Sequence, residues 1–387
     1  MSLVIGIDAT NIRQGGGITH LLELLSVDSV AVYGIKQVVI VGNQFLLDQI
    51  SERPWLKKVA PNGLKASFVR RIFWQFFCLP QLIADLHCDV LLSASGVDYT
   101  GFRPLVSISQ NLLPFELAEL KRFGFSLTTI RLLILRCLQL LAFRRSAGII
   151  FLTDYARDQV LAAAHGLRAE KRVIPHGLNK HFLRNAKPQR PINEYTDENP
   201  FRILYVSIIN EYKHQREVVE AISILRTYGW PVVLDLVGPA YPPSLIRLKK
   251  SIELYDPGHR WIYYHGSVPY SAVDSCYSAA DMAIWASTCE TFGIILLEAM
   301  ASGLPLACSS KEPSPEIVAD AAIYFDPECP RDIARALNIL ISSTTLRSEL
   351  AEAGIKRSQE YSWQRCSDQT FAFLADIARK HKIQHSL

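Results

Sequence analysis

The sequence predicts an α/β protein built from two doubly wound parallel-sheet domains in tandem, and three observations carry that reading. Strand-length apolar runs recur along the chain, each followed by a helix-length amphipathic stretch, which is the alternation of parallel α/β layers. A polar stretch without periodicity, Asn185 to Pro200, interrupts the alternation once and reads as a linker. The 387 residues suit two or three domains of roughly 100–200 residues each.

Taken in order, the first domain, residues 1–184, offers the strands LVIGID, QVVIVG, DVLLSA, PLVSIS and GIIFLT. The second, residues 201–363, offers FRILYVS, PVVLDLVG, WIYYHG, DMAIWAS and LPLACS. The tail has apolar residues at helical spacing, Phe371, Leu374 and Ile377, and predicts a last helix over 364–387. No short internal repeat interrupts this pattern. Ligands of open parallel sheets sit beyond the carboxyl ends of the strands, so a cleft between two such domains is the expected site.

Composition narrows the class. With 49% hydrophobic and 20% charged residues the chain is not disordered. The run free of Lys, Arg, Asp and Glu from Ile72 to Ala84 has 13 residues, against about 20 for a spanning helix. The opening SLVIGID lacks a basic region and a small-residue cleavage site, so it is expected to be a buried strand and not a secretory leader. Eight cysteines without a C-x-x-C pair or metal-ligand spacing to His read as reduced thiols of a cytoplasmic protein. The net charge of +4 hides an asymmetry: residues 1–175 hold 19 Lys/Arg against 13 Asp/Glu, and residues 176–387 hold 22 against 24. The first half is therefore expected to face something anionic.

The chemistry concentrates in Ser287 to Leu304, STCETFGIILLEAMASGL. A strand ends, a short loop carries Glu290, and Gly293 opens an apolar helix that carries Glu298. The amides of Phe292, Gly293 and Ile294 at such a helix start have no intrahelical partner, and the helix dipole adds positive character, so a diphosphate can dock there. Gly293 lets a ligand approach the backbone. Glu290 and Glu298 are both expected to look into the same cleft, where carboxylates suit the vicinal diols of a ribose or a hexose. The competing reading makes them a helix cap and a solvated helix face. Against it stands Glu298 itself, a charge inside IILLEAMA that needs a partner.

The pattern Ser-x-x-Glu-x-Phe-Gly-x-x-x-x-Glu-Ala-Met resembles the signature of the retaining GT-B glycosyltransferases of family 4, the group 1 glycosyltransferases. The resemblance extends over IGIDATNIRQGGGITHLLELL, IPHGLNKHF, ILYVSIINEYKHQREVVEAI, LVGPA, HGSVPYSAVDSCYSAADMAIWAS, PEIVADAAIYFDP and the closing YSW, in the family's order. It implies a GT-B fold: two Rossmann-like domains facing a central cleft, with the C-terminal helix crossing back to the first domain. It also implies roles. Glu298 matches the carboxylate that holds the nucleotide ribose, and Glu290 the one near the donor sugar hydroxyls. Lys213 matches the cation that clamps the donor diphosphate and stabilises the leaving group. Ser207, Gly238, Ser267 and Val268 correspond to donor-binding residues at strand ends, and Thr291, Phe292, Gly293 and Ile294 to the phosphate-binding turn. Gly16 and Gly17 correspond to the first-domain loop that closes over the phosphates. No metal and no cofactor is expected, and no Asp-x-Asp motif occurs.

Two positions depart from the family. Ile208 stands where an arginine is common, five residues before Lys213. Gln110 and Asn111 stand at a loop where many members have a His-Asp pair, and amides do not titrate. Gln110, Asn111 and His176 are the acceptor-side candidates.

Weaker signals remain. Gly15 to Gly17 fails the G-x-G-x-x-G spacing because His20 stands at the third position. His20 and His176 are read as cleft-lining or structural, and His265 as structural. Between Lys121 and Arg145 lie Lys121, Arg122, Arg131, Arg136, Arg144 and Arg145 with no acid, among apolar residues; the stretch 65–84 with Arg70 and Arg71 has the same character. Segments of this kind adsorb to anionic lipid, or form a core-facing helix with a basic rim. No nucleic-acid motif is present, and nucleic acid is not an expected partner.

The resemblance implies transfer of a hexose or deoxyhexose, mannose first, from a nucleoside diphosphate sugar to a glycan or lipid-linked acceptor in bacterial lipopolysaccharide, O-antigen or other polysaccharide synthesis. The protein is expected to be cytoplasmic or peripheral on the inner face of the membrane. The alternatives are a nucleotide-sugar epimerase of the same fold and a catalytically weak membrane scaffold.

Overall fold

The computed structural model describes residues 2–13 and 15–385. Met1, Gln14 beside the triple glycine, and the last two positions of the expected 364–387 helix lie outside the described residues. So do the side chains of Phe68 and Val69 in the basic aromatic stretch.

The chain divides into two units. The first comprises Met1–Leu117, Phe125–Gly177 and Ser362–Leu387, and the second Ala118–Gly124 and Leu178–Tyr361. The division differs from the expected one at three places, each for a visible reason. Leu178 donates its amide to the Tyr361 carbonyl at 3.2 Å and Arg184 to that of Ala301 at 2.8 Å, so residues 178–184 belong with the second unit. Ala118–Gly124 joins it too, because Arg122 pairs with Glu328 at 2.6 Å and the Phe123 ring meets that of Tyr241. The expected linker 185–200 is fastened down: Lys187 donates to the Ala280 carbonyl at 2.7 Å, Arg347 to Gln189 at 2.8 Å, and the Tyr195 hydroxyl to Asp281 at 3.0 Å.

The first unit holds a seven-stranded parallel sheet. Its strands are β1 (Leu3–Asp8), β2 (Ile35–Val41), β3 (Leu56–Val59), β4 (Val90–Ser93), β5 (Leu105–Ser109), β6 (Gly148–Phe151) and β7 (Glu170–Val173), in the order β3-β2-β1-β4-β5-β6-β7. The second holds β8 (Phe201–Val206), β9 (Val232–Val237), β10 (Ile262–Tyr264), β11 (Met282–Trp285), β12 (Leu306–Ser309) and β13 (Ile323–Phe325), in the order β10-β9-β8-β11-β12-β13. The inner strands are buried along most of their length, as both faces of a parallel sheet must be when helices cover them. Helix Gln215–Thr227 shows how: Val218, Val219, Ile222 and Leu225 recur at three- and four-residue spacing and all are buried. The closing helix, Trp363–His385, packs within the first unit, where Phe371 is buried and Tyr33 donates to Asp368 at 2.6 Å.

Candidate functional site

In each sheet the winding reverses beside the first strand, between β1 and β4 and between β8 and β11. Such a switch point leaves a crevice at the carboxyl ends of the strands, because the two following loops run apart. In the second unit those loops are 207–214 and 286–293. They are laced together: Thr288 donates its amide to the Tyr212 carbonyl at 2.9 Å, and His214 Nε2 lies 3.1 Å from Thr288 Oγ1.

Lys213 sits on this crossing. Asn210 caps a single helical turn, Glu211–Lys213, and His214 at φ 52° turns the chain into helix Gln215–Thr227. Gln215 anchors the turn by donating to Ser207 Oγ at 2.8 Å and to the Ile208 carbonyl at 2.9 Å. The Lys213 side chain is buried and forms an ion pair with Glu290. Its ammonium also lies 4.3 Å from the centre of the Trp285 ring and 5.2 Å from that of Tyr212, within cation–π reach of both. The predicted phosphate cation and the predicted sugar-side acid are thus one assembled pair, 77 residues apart in sequence.

Glu298 is placed otherwise than expected. Its helix, Ile294–Ala301, starts one residue after Gly293, which takes φ 93°. Glu298 is 3% exposed. It accepts from Tyr270 at 2.9 Å on one oxygen and from Tyr277 at 3.3 Å on the other. Burial pushes its carboxyl up to about 7, while the two tyrosine hydrogen bonds pull it back. So Glu290 and Glu298 do not both stand open to one crevice: the first is engaged by Lys213, the second by two phenols. Neither is a solvated helix-face residue. The apolar helix does demand a partner for Glu298, and the tyrosines that meet the demand lie on a different helix, Tyr270–Ala279, where spacing gives no sign of them.

The remaining second-unit candidates gather at neighbouring strand ends. Gly238 follows β9 at φ 142°, where a Cβ would stand 2.1 Å from the Ser207 carbonyl oxygen, so only glycine fits. Its amide donates to Gly266 at 2.8 Å, immediately before Ser267 and Val268. Ser207, Gly238 and the start of Ser267–Val268 therefore share the carboxyl edge of β8, β9 and β10. Phe292 is buried with its ring against Tyr361, so its side chain is closed to a ligand. Ile208 brings no cation, and the nearby Arg247 is committed to Glu211 at 2.9 Å.

In the first unit the candidates fare unevenly. Gly16 and Gly17 form the first turn of helix Gly16–Leu24 and not a loop. Gly17 adjoins Gln110, whose Oε1 would be 3.2 Å from a Cβ there, so these two are brought together. Asn111 is exposed and its Oδ1 accepts from the Leu113 amide at 3.2 Å. His176 is buried, 4.9 Å from the His20 ring and 5.2 Å from Trp363, ring centre to centre. Burial lowers His20 to about 4, and burial together with His20 holds His176 well below the imidazole range, so both rings are neutral packing groups. Sequence reasoning passes over Asp8 as a site residue. It ends β1 at the switch point, accepts from Thr10 Oγ1 at 2.7 Å, and is raised by burial to about 6. His265 donates or accepts at Asp235, 2.7 Å away, as a structural histidine would.

The basic stretch 121–145 is split by the fold. Its start lies in the second unit, where Arg122 is consumed by Glu119 and Glu328, and helix Leu127–Arg145 lies in the first. That helix buries Leu132, Gln139, Ala142 and Phe143 and turns Leu127, Ile130, Leu133, Ile134 and Leu141 outward. On helix Phe68–Phe77, Phe73, Phe76 and Phe77 are likewise exposed. Among the described residues no helix is long and apolar enough to cross a membrane, and no three His, Cys, Asp or Glu side chains are grouped to hold a metal ion.

Comparison with known proteins agrees with this architecture. Residues 188–357 match the family model "Glycosyl transferases group 1". The O-antigen chain mannosyltransferase B of Escherichia coli is 32% identical over 120 residues, 30% of this chain and 32% of that protein. The chain spans between 25% and 32% of the length of the Escherichia coli mannosyltransferases it matches. Among solved structures, sucrose-phosphate synthase from Thermosynechococcus elongatus aligns with a TM-score of 0.75 at 17% identity, over 95% of this chain and 97% of that one. Anabaena HepE in complex with UDP and glucose aligns at 0.72 and 18%, over 97% and 100%. At such identities the likeness concerns the fold, whereas the family match concerns the sequence of the second unit. The chain therefore has the GT-B fold, and its residues 188–357 match the model of the glycosyl transferases group 1.

Proposed function

We propose that this protein is a retaining, metal-independent hexosyltransferase that uses a nucleoside diphosphate sugar. The observation that carries the reading is the Lys213–Glu290 pair at the second-unit switch point, flanked by the strand-end edge of Ser207 and Gly238. In the proposed reaction the donor separates the pair. Lys213 turns to the diphosphate and offsets the charge that develops as the bond from the anomeric carbon to phosphate breaks. Glu290 accepts from sugar hydroxyls, and Glu298 from the ribose. The acceptor hydroxyl forms the new glycosidic bond on the face the diphosphate leaves, and its proton passes to a diphosphate oxygen. Gln110 and Asn111 orient sugar hydroxyls on the acceptor side.

A mannosyl donor and an acceptor of the lipopolysaccharide or O-antigen kind are the first assignments, supported by the names of the relatives and nothing finer. Attachment of the first unit to the anionic inner membrane face is part of the proposal. Its support is the outward apolar residues of helices Phe68–Phe77 and Leu127–Arg145, interspersed with arginines. Arg71 is lowered by burial and by the like charges of Arg13 and Arg131. The test is incubation with GDP-mannose and other nucleotide sugars plus a lipid-linked saccharide, with NMR of the product. A new α-linkage from an α-donor supports the proposal, and donor conversion without acceptor favours an epimerase.

A further inference from the structure

The carboxylate of Glu298 is enclosed, and its two hydrogen-bond partners are unlike each other. Tyr277, in the body of helix Tyr270–Ala279, is 1% exposed and belongs to the core. Tyr270 is the first residue of that helix, directly after Pro269, and is 48% exposed. Both rings flank the buried Phe182, at 5.6 Å for Tyr270 and 5.7 Å for Tyr277. Tyr270 is thus a surface residue whose hydroxyl is turned inward onto a buried acid, 2.9 Å from Oε1. It also follows within three residues of Ser267 and Val268, which the resemblance to the family gives to the donor.

A ligand diol reaches Glu298 only when a covering group withdraws. Of the two phenols, Tyr270 alone has an open side to withdraw into. We infer that in the donor-free protein the Tyr270 hydroxyl occupies the place of a ribose hydroxyl on Glu298, and that it swings away when a nucleoside diphosphate binds, which makes Tyr270 a specificity-determining residue. The inference rests on the assignment of Glu298 to the ribose. Its logic is an exchange: a ribose offers two hydroxyl donors where the phenol offers one, so a ribonucleotide replaces the lost bond. A ligand without those hydroxyls would leave a buried carboxylate short of a partner, which is costly.

The experiment is a calorimetric titration of the full chain and of Tyr270→Phe with UDP, GDP and their 2′,3′-dideoxy counterparts, at pH 8.5 and across an acid series. Phenylalanine keeps the ring against Phe182, and a single cooperative melt without ligand, at a somewhat lower midpoint, confirms that the variant is folded. The unsubstituted protein is expected to prefer the ribonucleotide. Tyr270→Phe is expected to bind that ribonucleotide roughly three- to tenfold more tightly, because no protein hydrogen bond need be broken first. The acid limb of binding is expected to move to higher pH, since one of the two bonds that favour ionised Glu298 is gone. Equal affinity for ribo and dideoxy ligands, or no binding of either, overturns the ribose assignment and this inference with it. A ribonucleotide preference with unchanged or weaker binding by Tyr270→Phe overturns the inference alone, since Tyr270 would then be a support and not a stand-in.

Discussion

Glu290 is readable from the turn before an apolar helix, and Lys213 from the resemblance to the family alone. Their pairing is not readable, because it depends on how the Asn210 cap and the Thr288–Tyr212 bond bring the two loops together. Breaking a buried pair by removing one partner costs about 3–5 kcal/mol, since the survivor keeps its desolvation penalty. Lys213→Ala is therefore expected to lower the thermal midpoint, and Lys213→Ala with Glu290→Gln to recover part of the loss. Both variants should reduce kcat at least about 100-fold, the range seen when a preorganised electrostatic partner of the transition state is removed. Recovery of stability without recovery of rate is the expected pattern in melting and steady-state measurements. Glu298 gives a pH prediction with a definite sign. Its folded value of about 7 lies above its ordinary 4.5, so the native state holds a proton that the unfolded chain releases. That stabilisation is complete below about pH 4.5 and is lost as pH rises through 7. Glu298→Gln is expected to match the parent protein's thermal midpoint at pH 5 and exceed it at pH 8; a deficit at pH 8 would contradict the assignment of burial as the cause.

At the scale of elements, the long apolar strands were legible because both faces of a parallel strand are covered and the run needs no alternation. β3, β7 and β13 were not. Their sequences LKKV, EKRV and IYF are short, two of them are charged, and all three lie at sheet edges where one side is unpaired. The glycines at 16 and 17 correspond by the family resemblance to a loop, yet the fold uses them in a first helical turn despite the low helix propensity of glycine, and Gly17 closely approaches Gln110. Gly238 carries the opposite lesson. Its place after LDLV marked a strand end, and the structure shows why no side chain fits there. Gly238→Ala is expected to lower the thermal midpoint by several degrees and to abolish nucleotide binding, because the strand-end edge must shift to clear the Ser207 carbonyl. A variant that melts and binds like the parent protein would show that this edge is not part of the site.

For the molecule as a whole, the alternation and its one polar interruption gave two parallel sheets, and the structure added that chain order and unit membership diverge. Residues 118–124 and 178–184 and the helix from Trp363 each belong to a unit that their sequence position alone does not indicate. The first unit carries the outward apolar and arginine-rich helices, so vesicle binding is a property of the intact chain that can be read directly. Co-sedimentation is expected with vesicles containing anionic phosphatidylglycerol and not with neutral ones. It should weaken several-fold in Ile130→Ser with Ile134→Ser, whereas equal binding to neutral and anionic vesicles would contradict an electrostatic contribution. The central claim concerns the second unit, that its switch point receives a nucleoside diphosphate. Calorimetric titration with UDP, GDP, dTDP and CDP tests it most directly. The account predicts one saturable site for at least one of them, weakened more than about tenfold by Glu298→Ala, in keeping with a lost charge-assisted hydrogen bond. Absence of binding by all four, or equal affinity in Glu298→Ala, would contradict it.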